Sequence, residues 1–363
     1  MRILHVITSL DTGGAERLMV DLLPKLIEKG NQVELLLFNG LMTPFRKELE
    51  QYGVSVYELF HSSRKGRASG VYNPLNIFRL RKYLSKYDII HTHNTACQLF
   101  APIAKCLSGS SVKLVTTEHS STSRRRAIRW LRPIDKWVYR RYAKIVCIED
   151  STFNGLVGYL GKDCNACVIY NGVDTARFVR PIKDISQQSQ YWVTMVAGFR
   201  FEKDHGTVLR AMSQLPENYH LQLVGDGVEK DTIHSLALNL GLEKRVSFLG
   251  VRQDVPDILE QSDVAVLSSH WEGFGLAAVE AMAACRPVVA SDVGGLRNVV
   301  GGAGVLFPHG DDKALAESIQ QLCENPSYYT EVAQACQSRA KEYDISVMVD
   351  KYDQLYKELM LKK

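Results

Sequence analysis

The sequence predicts an α/β protein of two doubly wound, Rossmann-like domains, each a parallel sheet with helices on both faces. Three observations predict it. Apolar runs rich in Val, Ile and Leu alternate with amphipathic helical stretches, the alternation restarts after residue 180, and 363 residues with 45% hydrophobic content exceed one ordinary core. Runs buried on both sides and separated by helical crossovers are the mark of a parallel sheet.

In the first half the strand-like runs are RILHVITSL, QVELLLF, VSVYELF, DIIHTHN, KLVTTEH, KIVCIE and CVIYNGVD. Between the first two lies AERLMVDLLPKLIEKG, apolar at helical spacing and closed by a glycine. PIKDISQQSQ, residues 181–190, is polar and aperiodic and reads as a linker. Beyond it YWVTMVAGF, HLQLVGDG, RVSFLG, VAVLSS, PVVASD and GVLF repeat the pattern, and the chain from about Asp311 reads as helices only. The expected division is 1–180, 181–343 and a C-terminal helix, 344–363, packing back on the first domain. Ligands of such folds lie at the carboxyl ends of strands, so two facing sheets would share an interdomain cleft.

No stretch reaches the length of an apolar membrane span, and the N-terminal apolar run is too short for a signal peptide. A cytoplasmic location is expected, with the eight cysteines reduced. Cys164 and Cys167 form a lone CxxC with no second pair to complete a zinc site and read as two small buried side chains.

Charge is uneven: +12 over residues 1–180 and −8 over 181–363, together the chain's +4. SSRKGR and RRRAIRWLRPIDKWVYRRYAK supply most of the excess, with arginines interleaved among Trp130, Trp137, Tyr139 and Tyr142. On a helix, Ile128, Leu131, Val138 and Tyr142 share a side opposite most of the arginines. Two readings stand: a helix resting on anionic lipid, peripheral at the inner face of a membrane, or a helix docked on its own domain with a solvated basic face. No nucleic-acid recognition motif accompanies the charge.

The densest motif is HWEGFGLAAVEAMAACRPVVASDVGG, residues 270–295. A strand, VAVLSS, leads through a turn into a helix whose first amides are unpaired and partly positive, which makes an anion site. Gly273 and Gly275 permit a tight turn and close approach of a phosphate. Glu272 and Glu280 would repel that phosphate, but carboxylates accept hydrogen bonds from paired hydroxyls. One diol on each side of a diphosphate is the layout of a nucleotide sugar. Arg200 and Lys203, just past the strand YWVTMVAGF, would neutralise the diphosphate without a metal; the alternative is two solvated loop charges.

This set resembles the retaining, nucleotide-sugar-dependent glycosyltransferases of the GT-B fold, glycosyltransferase family four, over nearly the whole chain. EGFGLAAVE carries it, with two glutamates separated by seven residues. The resemblance implies that Glu272 binds donor-sugar hydroxyls, Glu280 the ribose, and the backbone of Gly273, Phe274, Gly275 and Leu276 the sugar and phosphates. Gly13 and Gly14 of TGGAER would close over the donor from the other domain, Val251 and Arg252 would lie nearest the base, and His119 would touch the donor sugar. Relatives commonly place an acid directly after that histidine, whereas Ser120 follows here and Glu118 precedes. His91 and His93 also match a family strand end; they share a face, and no third metal ligand accompanies them in the sequence.

No two aspartates are separated by one residue, so the metal-binding DxD element is absent. The expectation is a metal-independent, retaining hexosyltransferase with no cofactor. Its donor would be a UDP-sugar and its acceptor a glycan or lipid-linked sugar in surface polysaccharide assembly. A nucleotide-sugar epimerase is the alternative. A nicotinamide-dependent dehydrogenase fits less well, since neither TGGAER nor VGDGVEKD completes the GxGxxG fingerprint.

Overall fold

The computed structural model of the protein describes residues 1–11, 13–61, 70–119, 126 and 128–361. The chain forms two compact units, Met1–Gly172 with Ile345–Lys363, and Val173–Asp344. In the first, strands β1 (Arg2–Ile7), β2 (Gln32–Asn39), β3 (Ser55–Phe60), β4 (Ile89–His93), β5 (Lys113–Glu118), β6 (Lys144–Cys147) and β7 (Ala166–Val168) form a sheet in the order β3-β2-β1-β4-β5-β6-β7. All its pairings are parallel. Helices α1 (Gly14–Glu28), α2 (Pro44–Gln51), α3 (Leu75–Leu84), α4 (Thr95–Ser108), α5 (Arg132–Tyr139) and α6 (Asp150–Leu160) provide the crossovers. Alternation along β1 feeds two separate cores, Ile3 and Ile7 on one face and Leu4 and Val6 on the other.

The second unit repeats the plan. Strands β8 (Tyr191–Val196), β9 (Tyr219–Val224), β10 (Val246–Gly250), β11 (Val264–Leu267), β12 (Val288–Ser291) and β13 (Val305–Phe307) are ordered β10-β9-β8-β11-β12-β13. They too pair in parallel. Its helices are α7 (His205–Gln214), α8 (Lys230–Asn239), α9 (Val255–Gln261), α10 (Leu276–Ala283), α11 (Gly294–Val300), α12 (Asp312–Glu324) and α13 (Pro326–Glu342). Residues 181–190 are not a bare connector. Ile185 is buried against Tyr329 and Ala333, so this polar run is part of the second unit.

The last helix, α14 (Ile345–Leu361), packs on the first sheet. Met348, Val349, Tyr352, Leu355, Tyr356 and Leu359 recur at helical spacing and join the core that contains Ile3 and Ile7. Each fully buried aliphatic side chain in such a stripe contributes about 1.5–3 kcal/mol.

A further expectation is corrected. The lipid-facing side assigned to residues 128–142 is not presented to solvent as a unit: Val138 and Tyr142 are core residues. Ile128, Trp130, Ile134 and Trp137 are the exposed apolar groups instead. SSRKGR, Arg124 and Arg125 lie outside the described residues. The cysteines are unbridged, and Cys164 and Cys167, expected to be buried, are only partly so, packing against different cores.

Candidate active site

In the second sheet the strand order reverses between β8 and β11. A reversal of this kind is the usual ligand position in open parallel sheets. Arg200 and Lys203 follow β8; Glu272, Gly273, Phe274, Gly275 and Leu276 follow β11.

The two loops are stitched together. Ser268 Oγ lies 3.1 Å from the carbonyl oxygen of Lys203 and 2.8 Å from that of Asp204, and the His270 amide donates to the Glu202 carbonyl at 2.9 Å. Asp204 adopts φ 47°, a left-handed conformation that Asp tolerates, and its carboxylate accepts from the Thr207 amide to cap α7. Lys203 is thereby held at the reversal, where its ammonium donates to Glu272. The Ser269 hydroxyl contacts the same carboxylate oxygen at 3.4 Å. Arg200 extends outward, 59% exposed, and its nearest acid is Glu202 at 3.9 Å.

The glycine-aromatic-glycine turn has one strict requirement. Gly275 sits at φ +95°, and a Cβ there would lie 2.6 Å from Leu296 Cδ2. Below it, a Cβ on Gly295 would meet the Glu272 carbonyl oxygen at 2.7 Å, so α11 packs directly on the backbone of the turn. Phe274 is buried edge-on against Tyr343, leaving only its backbone for a ligand. Glu280 is half-buried one turn into α10, and Val251 and Arg252 leave the adjoining edge of the sheet after β10. Arg252 forms a bidentate pair with Asp254, and this hydrogen bonding holds the Asp254 carboxyl below its usual range.

The first sheet has its own reversal, between β1 and β4. Gly13 and Gly14 open α1 after β1; Thr12, in the same loop, lies outside the described residues. A Cβ on Gly13 would meet Glu16 Oε2 at 2.3 Å. His119 stands just past β5, partly exposed. Glu118 faces the other way, buried, accepting from Gln98 at 2.9 Å, from Arg126 at 2.7 Å and from the Tyr139 hydroxyl. It anchors that segment and is not part of the histidine group.

His91 and His93 gain a third histidine that sequence reading missed. Parallel register sets His5 beside His91, and the ligand atoms of His5, His91 and His93 lie within 4.8 Å of one another. The only sequence sign is a polar residue inside the apolar strand RILHVI. Burial lowers the His5 ring to about 3 and His119 to about 4, and His91 and His93 fall well below the ordinary value for the same reason. All four rings are therefore neutral at physiological pH.

Comparison with known proteins accords with this geometry. Residues 12–177 match the family model Glycosyltransferase Family 4, and residues 181–343 match Glycosyl transferases group 1. The chain belongs to the GT-B glycosyltransferases. Similar relatives include N-acetyl-alpha-D-glucosaminyl L-malate synthase of Bacillus anthracis, 26% identical over 96% of this glycosyltransferase and 94% of that protein. Another is UDP-Gal:alpha-D-GlcNAc-diphosphoundecaprenol alpha-1,3-galactosyltransferase of Escherichia coli, 26% identical over 80% of each chain. Among solved structures, Anabaena HepE in complex with UDP and glucose superposes with a TM-score of 0.85 at 25% identity, over 99% of this chain and 100% of that one.

Proposed function

We propose that this glycosyltransferase moves a hexose from a UDP-sugar to a lipid-linked saccharide or glycan, retaining anomeric configuration and using no metal. The observation that carries the reading is the β8/β11 reversal, where the loops bearing Lys203 and Glu272 are bonded to each other and the two side chains pair beside the Gly275 turn. The donor diphosphate would replace the carboxylate as partner of Lys203, with Arg200 as the second cation. Glu272 would then accept from the hydroxyls of the sugar and Glu280 from the ribose. As the sugar–phosphate bond breaks, negative charge grows on the diphosphate and the two cations stabilise it. The departing phosphate takes the proton of the attacking hydroxyl, so no separate base is needed. Val251 and Arg252 lie nearest the base, and Gly13 and Gly14 contact the donor in this reading, as His119 does.

Supporting the donor class are the UDP and glucose of the HepE complex. Supporting the acceptor class is the diphosphoundecaprenol substrate named for the E. coli relative. Among the described residues no helix is long and apolar enough to cross a membrane. Access to a lipid-linked acceptor would come from the exposed Ile128, Trp130, Ile134 and Trp137 beside Arg132 and Arg140, resting on an anionic surface.

The test is a donor panel, UDP-glucose, UDP-galactose, UDP-N-acetylglucosamine and GDP-mannose, offered with a diphosphoprenyl saccharide and read by product mass and anomeric NMR. An α-linked product from a UDP-sugar supports the reading. Conversion of the donor without an acceptor would replace it with an epimerase, and no reaction with any donor would remove it.

A further inference from the structure

A continuous file of hydrogen-bonded side chains runs from α14 to His119. The Tyr352 and Thr117 hydroxyls lie 3.0 Å apart, and Thr117 Oγ1 is 2.7 Å from His91 Nε2. His91 Nδ1 is 2.6 Å from the Tyr356 hydroxyl, which is 3.4 Å from His5 Nε2. His5 Nδ1 is 3.0 Å from His93 Nε2, and His93 Nδ1 is 3.0 Å from His119 Nε2. Every member is buried except His119, the partly exposed end.

Counting protons restricts this file severely. A neutral imidazole has one N–H and one lone pair, and each nitrogen–nitrogen contact holds one proton. If His93 Nε2 donates to His5, then His93 Nδ1 accepts from His119 Nε2, and His119 Nδ1 is left as a lone pair. If His5 Nδ1 donates instead, every proton shifts along the file and His119 Nδ1 carries one. No other arrangement keeps both contacts bonded and all rings neutral. The Tyr356 hydroxyl selects between them, because its single proton points either to His91 Nδ1 or to His5 Nε2. The contact to His91 is much the shorter, 2.6 Å against 3.4 Å, and because a phenol is a stronger donor than an imidazole N–H and an imidazole nitrogen the stronger acceptor, the O–H···N bond takes the short contact. With that proton on His91, His5 Nε2 becomes the donor to the Tyr356 oxygen, and the first arrangement follows.

We propose that His5 and His93, set by Tyr356 of α14, are positioning residues that hold His119 as the Nε2–H tautomer, so that its Nδ1 accepts a hydrogen bond from a sugar hydroxyl. The proposal rests on the reading of His119 as a residue of the reaction. A metal among His5, His91 and His93 is the competing occupant; it would have to break the His5–His93 hydrogen bond and displace a His91 nitrogen from Tyr356 or Thr117.

The experiment is long-range nitrogen–proton NMR of the full chain labelled with 15N-histidine, which separates the two tautomers of each ring by shift. Wild type is expected to show His119 with a protonated Nε2. Tyr356→Phe removes the selecting hydroxyl and is expected to populate both tautomers. It should lower kcat about tenfold or more, in the range of hydrogen-bonding catalysis, with UDP affinity unchanged. An Nδ1–H tautomer in wild type, an unchanged tautomer in Tyr356→Phe, or one equivalent of tightly held zinc would each overturn the relay. Full activity of His119→Ala, with the tautomer shift intact, would instead overturn the role of His119 in the reaction.

Discussion

Lys203 and Glu272, from loops after two different strands, share an ion pair at the point where the second sheet reverses its strand order. Both are mostly shielded from solvent, with side chains 23% and 16% exposed. In the proposed reading each keeps the other in place until a donor separates them.

Replacing Lys203 with Ala should lower kcat by about two to three orders of magnitude, the usual loss when one preorganised charge partner of a transition state is removed. Because the two groups touch, the double variant Lys203→Ala, Glu272→Gln should lose less than the two single losses combined. Steady-state kinetics on the four proteins check this; additive losses would show that the pair does not act together.

Gly275→Ala tests the turn. The φ of +95° and the 2.6 Å approach to Leu296 both oppose a side chain. A loss of about 1–3 kcal/mol is expected from backbone strain of this kind, together with weaker donor binding. Urea unfolding and donor titration measure the two effects separately.

Acid should destabilise the fold through His5 and His205, which are buried, and the partly buried His119. His5, His119 and His205 are lowered to about 3, 4 and 4 by burial, so the folded rings stay neutral where unfolded ones take up protons near 6.5. Above pH 6.5 both states are neutral and these groups add no pH dependence. As pH falls from 6.5 toward 4 the unfolded chain binds more protons and stability drops, by about 1.4 kcal/mol for each unit of lowering per ring. Thermal unfolding across that window, compared with proton uptake by calorimetry, checks the sign; a flat melting temperature between pH 6.5 and 4 would contradict it.

Trp130→Ala with Trp137→Ala should reduce sedimentation with anionic phosphatidylglycerol vesicles, most clearly at low salt, where Debye screening is weakest. Val138→Ala should act on stability instead, since that side chain is core. Absence of vesicle binding by the wild type in low salt would remove the membrane from the account.

These cases show what the sequence can and cannot disclose. The central strands, such as β4 and β11, were legible because their residues are buried on both faces, and the turn because only glycine suits the backbone at 275. Periodicity marked the apolar side of residues 128–142 but could not say whether domain or lipid covers it, and the domain took Val138 and Tyr142. The polar run 181–190 resembled a linker because one buried isoleucine, Ile185, carries its packing. His5 was invisible as a partner of His91 and His93, because only strand order and register bring residues so far apart in sequence together. The tyrosines of α14 were hidden for the same reason.

The most direct measurement is calorimetric titration of UDP into wild type and into Lys203→Ala and Glu280→Gln. The account predicts one site per chain, affinity reduced at least tenfold by either substitution, and no dependence on added divalent metal. Unchanged affinity in both variants, or no UDP binding by the wild type, would contradict it.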